Sequence, residues 1–350
     1  MKKKHLIIYH REDNDGVFSA ALIYDWLIRQ GAEPRDIVCQ GHTYPSLDQA
    51  SGSSEKDVKH WAYDLARTYN DVTIADISFD TPDKMKTLLA LLGPKLLWFD
   101  HHAPVIRTSY KSGFDGVTGE RDTSVCTILN VWRFLYDFCG LARTEYERKK
   151  APWRPGMPVR DEKYPELFAW LSGWDSWTYA RYGLTNEDVR RVNAGITYHT
   201  RLDVKAAYGI VKEIVDGLKE GHMRSARYVD LGMELGNRLC MEQDAAWAEE
   251  MKSREDWTLD GRKAAMVVHP GVTSSVMFRS LDPAEYAHGI CLKPDPDGTC
   301  TVSCYNLRDG DTFDLGEYLK RKYCGGGHTG AAGCTVTAET YARMLREKAV

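Results

Sequence analysis

The chain has 350 residues, of which 43% are hydrophobic and 27% charged, and its formal net charge is −4. At roughly 100 to 200 residues per domain the length predicts about two domains, and with no apolar run near the roughly 18 residues of a bilayer crossing a membrane span is excluded. The acidic balance gives no global attraction to a long phosphate backbone, so long duplex nucleic acid is not an expected partner; a short anionic substrate held locally by metals and a few cations fits better. The start, MKKKHLIIYH, is basic like a signal peptide, but its apolar stretch covers only Leu6 to Tyr9 before charge returns, so it reads as a buried strand of a cytoplasmic protein. Nine cysteines are an odd, scattered set without a C-x-x-C pair, against a disulfide framework or a zinc ribbon.

Residues 5 to 9 predict a short strand. Phe18 to Gln30 show helical spacing ended by Gly31, and the polar loop HREDNDG between them carries His10, Asp13 and Asp15. The pattern then repeats. Val72 to Ala75 predict a strand ending at Asp76, Pro82 to Leu92 a helix, and Lys95 to Phe99 a strand ending at Asp100, His101 and His102. Alternating strands and helices imply a parallel, doubly wound α/β sheet, whose binding crevice lies beyond the carboxyl ends of its strands. Each polar cluster falls at such an end.

Thr123 to Phe138 predict another helix, and the basic, proline-bearing stretch 143–163 reads as an exposed excursion. Asp175, in LSGWDSW, lies near the expected end of a helix. Residues 203 to 252 are helical and amphipathic, with a break suggested by Gly217 and Gly221, and form the expected connector. Their apolar stripes allow a homodimer. Beyond Trp257, Lys263 to His269, Gly289 to Lys293 and Cys300 to Tyr305 predict strands, with Cys300 and Cys304 on one face, and CGGGHTGAAGC follows. The expected divisions are 1–200, a helical connector at 201–256, and a smaller mixed α/β domain at 257–350, with the active-site cleft between the two domains.

Asp-x-Asp-Gly occurs in calcium loops and in ordinary turns, but here it follows a strand and has His10 beside it, which gathers hard oxygen and imidazole donors at one strand end. Asp100-His101-His102 closes a near-continuous apolar strand, where consecutive polar groups are costly without partners. Asp175 by itself is equally a cap or a partner for a tryptophan N–H.

In this order and spacing, D-x-D-G with a nearby His, a strand-end Asp, D-H-H and a later Asp resemble the motifs of the DHH phosphoesterase superfamily. Gly325 to Gly333, GGGHTGAAG, resembles the hallmark of its DHH-associated domain. The resemblance implies that His10, Asp13 and Asp76 hold one divalent metal ion and that Asp15, Asp76, His101 and Asp175 hold a second, Asp76 bridging and Mn2+ the usual ion. It further implies that Asp100 orients His101, that His102 faces the phosphate, and that Gly325, Gly326, Gly327 and His328 recognise the far end of the substrate. Where many members carry Arg two residues after a strand Ser, this chain has Ser303, Cys304 and Tyr305; that leaves Tyr305 to stack on a base and Arg308 to supply the cation.

The motifs D-x-D-G-V, Thr123-Ser124 and W-D-S-W most resemble the nano-RNase or oligoribonuclease-like branch. This implies hydrolysis of a dinucleotide such as pGpG, or of a very short oligonucleotide, to nucleoside 5′-monophosphates. The alternatives are a pyrophosphatase or exopolyphosphatase, a RecJ-like single-strand exonuclease, and a catalytically silent nucleotide sensor.

Overall fold

The structure is a computed structural model that describes residues 4–52, 54–79, 81–102, 106, 117–136, 141–144, 164–221, 224–271, 274–308 and 311–350. The chain divides into two compact units, Met1–Cys240 and Met241–Val350. Most of the excursion 143–163 lies outside the described residues.

The first unit is built on four parallel strands in the order β2-β1-β3-β4: β1 (His5–His10), β2 (Ile37–His42), β3 (Asp71–Ala75) and β4 (Leu96–Phe99). Successive side chains of a strand point to opposite faces, and both faces here are covered. On one face Ile7, Ala75, Leu97 and Phe99 pack in a core with α1 (Asn14–Arg29); on the other, Leu6, Ile8, Val72, Ile74, Leu96 and Trp98 pack with α3 (Glu55–Thr68) and α4 (Pro82–Leu92), α2 (Tyr44–Ser51) lying between β2 and α3 in the chain. The sheet is therefore doubly wound, as expected from the alternation.

Local chemistry sets the helix ends. Asp13 caps α1, its Oδ1 accepting from Gly16 N–H at 2.9 Å, and α3 opens with a reciprocal capping box between Ser54 and Asp57. Further helices follow on the α1 side: α5 (Thr127–Leu135), α6 (Glu166–Asp175), α7 (Asn186–Thr200) and α8 (Val204–Lys219) all contribute to the same core.

The segment expected to be a connector is divided differently. Val204, Ala207, Ile210, Val211, Ile214 and Val215 of α8 are core residues of the first unit, and Arg29 Nη2 donates to Asp216 Oδ1 at 2.8 Å. An amphipathic helix whose apolar face meets α1 is a layer of the domain, not a linker. The long α9 (Ser225–Glu250) runs through the division at residue 240: Tyr228 and Val229 join the core of the first unit and Trp247 that of the second.

The second unit has a mixed sheet in the order β5-β6-β7-β8-β10-β9: β5 (Glu255–Leu259), β6 (Arg262–Val268), β7 (His288–Pro294), β8 (Cys300–Asn306), β9 (Gly326–Gly327) and β10 (Ala331–Val336). Only β6 and β7 pair in parallel. Two separate clusters fill the unit: Ile290, Val302, Cys304 and Cys334 pack with α10 (Leu315–Tyr323), while Val267, Phe278, Cys291 and Tyr305 pack with Trp247 and Met251; α11 (Ala338–Glu347) contributes Met344 to the former. No helix of the described residues is long and apolar enough to cross a membrane.

Candidate metal centre

The strand order fixes where the chemistry gathers. From β1 the chain leaves towards β2, and from β3 it leaves towards β4, so the connections diverge between these adjacent strands. Their carboxyl ends open the crevice in which doubly wound sheets bind ligands. His10 ends β1, Asp13 and Asp15 follow it, Asp76 follows β3, and His101 and His102 follow β4. Asp175, the last residue of α6, joins them from the helical layer.

Close approach is built into the backbone. A Cβ on Gly16 would lie 2.0 Å from the His10 carbonyl oxygen, so the start of α1 reaches the end of β1 only because this residue is glycine. Asp76 takes a left-handed φ of 59°, a conformation that costs energy outside glycine and that turns the chain at the strand end.

The ligand atoms converge in three sets. His10, Asp13 and Asp76 form one; Asp15, His101 and Asp175 a second; Asp76, His101 and His102 a third; within each, the donor atoms lie within 4.8 Å of one another. His10 Nδ1 is 2.7 Å from Asp13 Oδ2 and 3.8 Å from Asp76 Oδ2. His101 Nε2 is 3.1 Å from Asp175 Oδ2, 3.4 Å from Asp76 Oδ1 and 3.7 Å from Asp15 Oδ2. Asp76 and His101 are thus each shared between two sets.

The groups that hold these ligands lie far from them in the sequence, where no local pattern marks them. Asp15 accepts the Thr127 and Ile128 backbone N–H groups at 2.8 and 2.6 Å, and the Thr127 hydroxyl donates to Asp76 Oδ1 at 2.9 Å. The amino end of α5 thus supports two carboxylates, which suits the positive end of a helix dipole. Asp100 differs from expectation. Its Oδ1 accepts the backbone N–H groups of His101 and His102 at 2.7 and 3.1 Å and lies 2.8 Å from His102 Nδ1. The ring it orients is that of His102; His101 is held through its backbone.

Electrostatics show the cost of the arrangement. Burial pushes the Asp76 carboxyl well above its usual range, and Asp15, Asp13, Asp175 and Asp100 add repulsion. The Asp175 carboxyl is driven up in the same way, by burial first and then by Asp15 and Asp13. Burial is the largest single effect on Asp13 and pushes it up, but the hydrogen bond and charge of His10, the Gly16 N–H and His102 together outweigh it and hold that carboxyl below its usual range. Among the described residues, the ion pairs of these five carboxylates are all with histidines. Asp175 Oδ2 is buried without a hydrogen-bond partner although His101 Nε2 is 3.1 Å away. The two atoms are close but not aimed at each other, as donors sharing a cation would be. The residue set fits hard or borderline divalent ions.

No family model and no curated protein matches the chain. Among solved structures, a DHH domain described as belonging to a family of ribosomal proteins matches with a TM-score of 0.53 and 15% identity, over 99% of this chain and 85% of that one. The chain has the DHH-domain fold. Weaker matches include the pGpG-specific phosphodiesterase PggH from Vibrio cholerae, with a TM-score of 0.46 and 12% identity over 98% of this chain and 97% of that one. RecJ in complex with Mn2+ from Thermus thermophilus also matches with a TM-score of 0.46, at 15% identity, over 99% of this chain and 51% of that one.

In the second unit of this DHH-fold chain, one expectation is corrected. Tyr305 is 8% exposed and its ring lies 6.0 Å from that of Phe278, so it fills a core and offers no platform for a base. Arg308 is exposed, with Nε donating to Pro283 O at 2.7 Å and Nη2 to Ala284 O at 3.0 Å. Gly326 and Gly327 form the edge strand β9 against β10. A Cβ on Gly325 would meet the Gly333 carbonyl oxygen at 2.4 Å, and one on Gly327, where φ is 140°, the Ala331 carbonyl oxygen at 2.6 Å; the close approach of β10 demands glycine at both. Gly326 faces open space and His328 is exposed, which leaves both accessible to a ligand.

Proposed function

We propose that the chain is a metal-dependent phosphodiesterase of the DHH superfamily that hydrolyses dinucleotides or very short oligonucleotides, such as pGpG, to nucleoside 5′-monophosphates. The observation that carries this reading is the gathering of three interlocked donor sets at the switch point of the sheet. In this reading His10, Asp13 and Asp76 hold one divalent ion, Asp15, Asp76, His101 and Asp175 a second, and manganese suits their mixed carboxylate and imidazole donors. Such ions supply an activated water near neutral pH and positive charge opposite the phosphate oxygens.

The chain's own residues keep that centre in order. Thr127 aims Asp76, the amino end of α5 aims Asp15, and Asp100 fixes the tautomer of His102 by accepting at Nδ1. The net charge of −4 supports a short substrate, and Gly326 and His328 are proposed to meet its far end. A polyphosphate substrate would call for a cluster of lysines and arginines, whereas the carboxylates here pair only with histidines among the described residues.

The test is to incubate the protein with manganese and pGpG, pApA, cyclic dinucleotides, longer RNA, single-stranded DNA and pyrophosphate, and to resolve the products. GMP released from pGpG faster than product from any longer strand is the expected result. Turnover of pyrophosphate alone would replace this reading with the pyrophosphatase, and tight binding of pGpG without release of GMP would replace it with the sensor.

A further inference from the structure

A tyrosine, Tyr44, stands beside the candidate centre. It opens α2 between the Thr43 cap and Pro45, and a capping box holds that turn: Thr43 N–H donates to Ser46 Oγ at 2.8 Å, and Ser46 N–H to Thr43 Oγ1 at 3.2 Å. The side chain therefore projects from a fixed backbone. α2 follows β2, at one edge of the sheet, yet the phenol reaches the opposite side of the crevice. Its ring centroid lies 5.5 Å from that of His10, at the end of β1, and 6.0 Å from that of His102, beyond β4. The ring thus stands beside both His10 and His102 while the residue keeps 36% of its surface exposed.

The polar tip is aimed inward. Tyr44 Oη lies 3.3 Å from His102 Nε2, and the other nitrogen of that ring meets Asp100 Oδ1 at 2.8 Å. A carboxylate only accepts, so Nδ1 carries a proton, and in the neutral tautomer Nε2 is the acceptor to which the Tyr44 hydroxyl donates. An anion approaching this side of His102 thus meets a hydroxyl before it meets the imidazole. Hydrogen-bond donors are scarce at a centre made of carboxylates, and the nearby Thr127 hydroxyl is committed to Asp76.

We propose that Tyr44 is a substrate-contacting residue whose hydroxyl donates to a non-bridging oxygen of the phosphoryl group bound at the metal centre, an assignment that rests on the centre taking a phosphoryl group as in the reading above. Rotation about the phenol C–O bond turns the proton from His102 Nε2 to that oxygen. The His102 side chain, 27% exposed, takes water in its place. No covalent bond changes in this step.

The assignment separates from metal binding and from folding in the Tyr44→Phe protein, which keeps the ring and loses only the hydroxyl. Inorganic phosphate is titrated calorimetrically into the manganese-loaded parent and variant, with manganese affinity and melting temperature measured on both. The expected result is a roughly tenfold or greater loss of phosphate affinity, the scale of one hydrogen bond to a charged group, with manganese affinity and melting unchanged. Equal phosphate affinity in the two proteins overturns the assignment, as does no phosphate binding by the parent. A parallel loss of manganese affinity overturns it as well, since Tyr44 would then be a part of the metal cradle. If phosphate affinity falls in the variant while the parent releases no GMP from pGpG, Tyr44 stands and the hydrolytic reading is the one that fails.

Discussion

Asp76 is 1% exposed, adopts a left-handed φ of 59°, and is crowded by four other carboxylates. Without a cation each of these features destabilises the fold, which is how functional sites commonly depart from the stability optimum. Asp76→Asn should therefore act in opposite directions on activity and on stability. Manganese-dependent hydrolysis should fall by orders of magnitude, because the carboxylate shared by two of the donor sets is lost. The metal-free variant should melt a few degrees higher than the metal-free parent at neutral pH, since asparagine keeps an acceptor for Thr127 and tolerates the same φ. The sign with pH follows from the raised carboxyl: between its ordinary value of 3.8 and its folded value the native parent binds more protons than the unfolded chain, so its stability rises as pH falls through that window. The gap between variant and parent should close towards pH 3.8, and melting curves of both across pH check it. An unchanged gap would mean that Asp76 is not the strained group. At this scale the sequence displays residue types but not partners. Asp13, Asp15, Asp76 and the D-H-H run were legible because they sit at strand ends, whereas Thr127 is separated from Asp76 by 51 positions and only the tertiary fold joins them.

Elements with clean periodicity are easily read from the sequence. The helix expected at Pro82 to Leu92 has those limits in α4, where Pro82 opens it and Gly93, at φ 53°, follows it. The strand β2, Ile37–His42, was not legible, because its mixed burial as an edge strand leaves neither alternation nor an apolar run. Missing β2 also hid α2 and Tyr44. Tyr305 misled for a different reason. Cys304 and Tyr305 are adjacent in β8 and both are buried, one in each cluster of the second unit, so position on the strand does not reveal which face is open. The element on which the centre most depends is α5, whose amino end holds Asp15 and Asp76. Thr127→Val removes the hydroxyl and keeps the shape. It should weaken manganese binding roughly 10- to 100-fold, the usual effect of losing a group that orients a metal ligand, with little change in secondary structure. Calorimetric titration with manganese measures it, and an affinity equal to that of the parent would show that α5 merely packs against the centre.

At the scale of the molecule, the doubly wound sheet and the mixed sheet each enclose their own core, and every donor of the candidate centre belongs to the unit Met1–Cys240. The class of the fold was legible because strand and helix periods alternate so regularly in that unit. The division at 201–256 was not, because an amphipathic helix looks the same in sequence whether it links domains or, like α8, covers a sheet. What the whole molecule does turns on whether the acidic crevice is a cation site. The most direct measurement is the metal content of the purified chain after equilibrium dialysis against manganese. About two ions per parent chain, and loss of that pair in Asp76→Asn, are expected of a centre with a shared carboxylate. A parent chain that retains no manganese, or an Asp76→Asn chain that retains as much as the parent, would contradict this expectation.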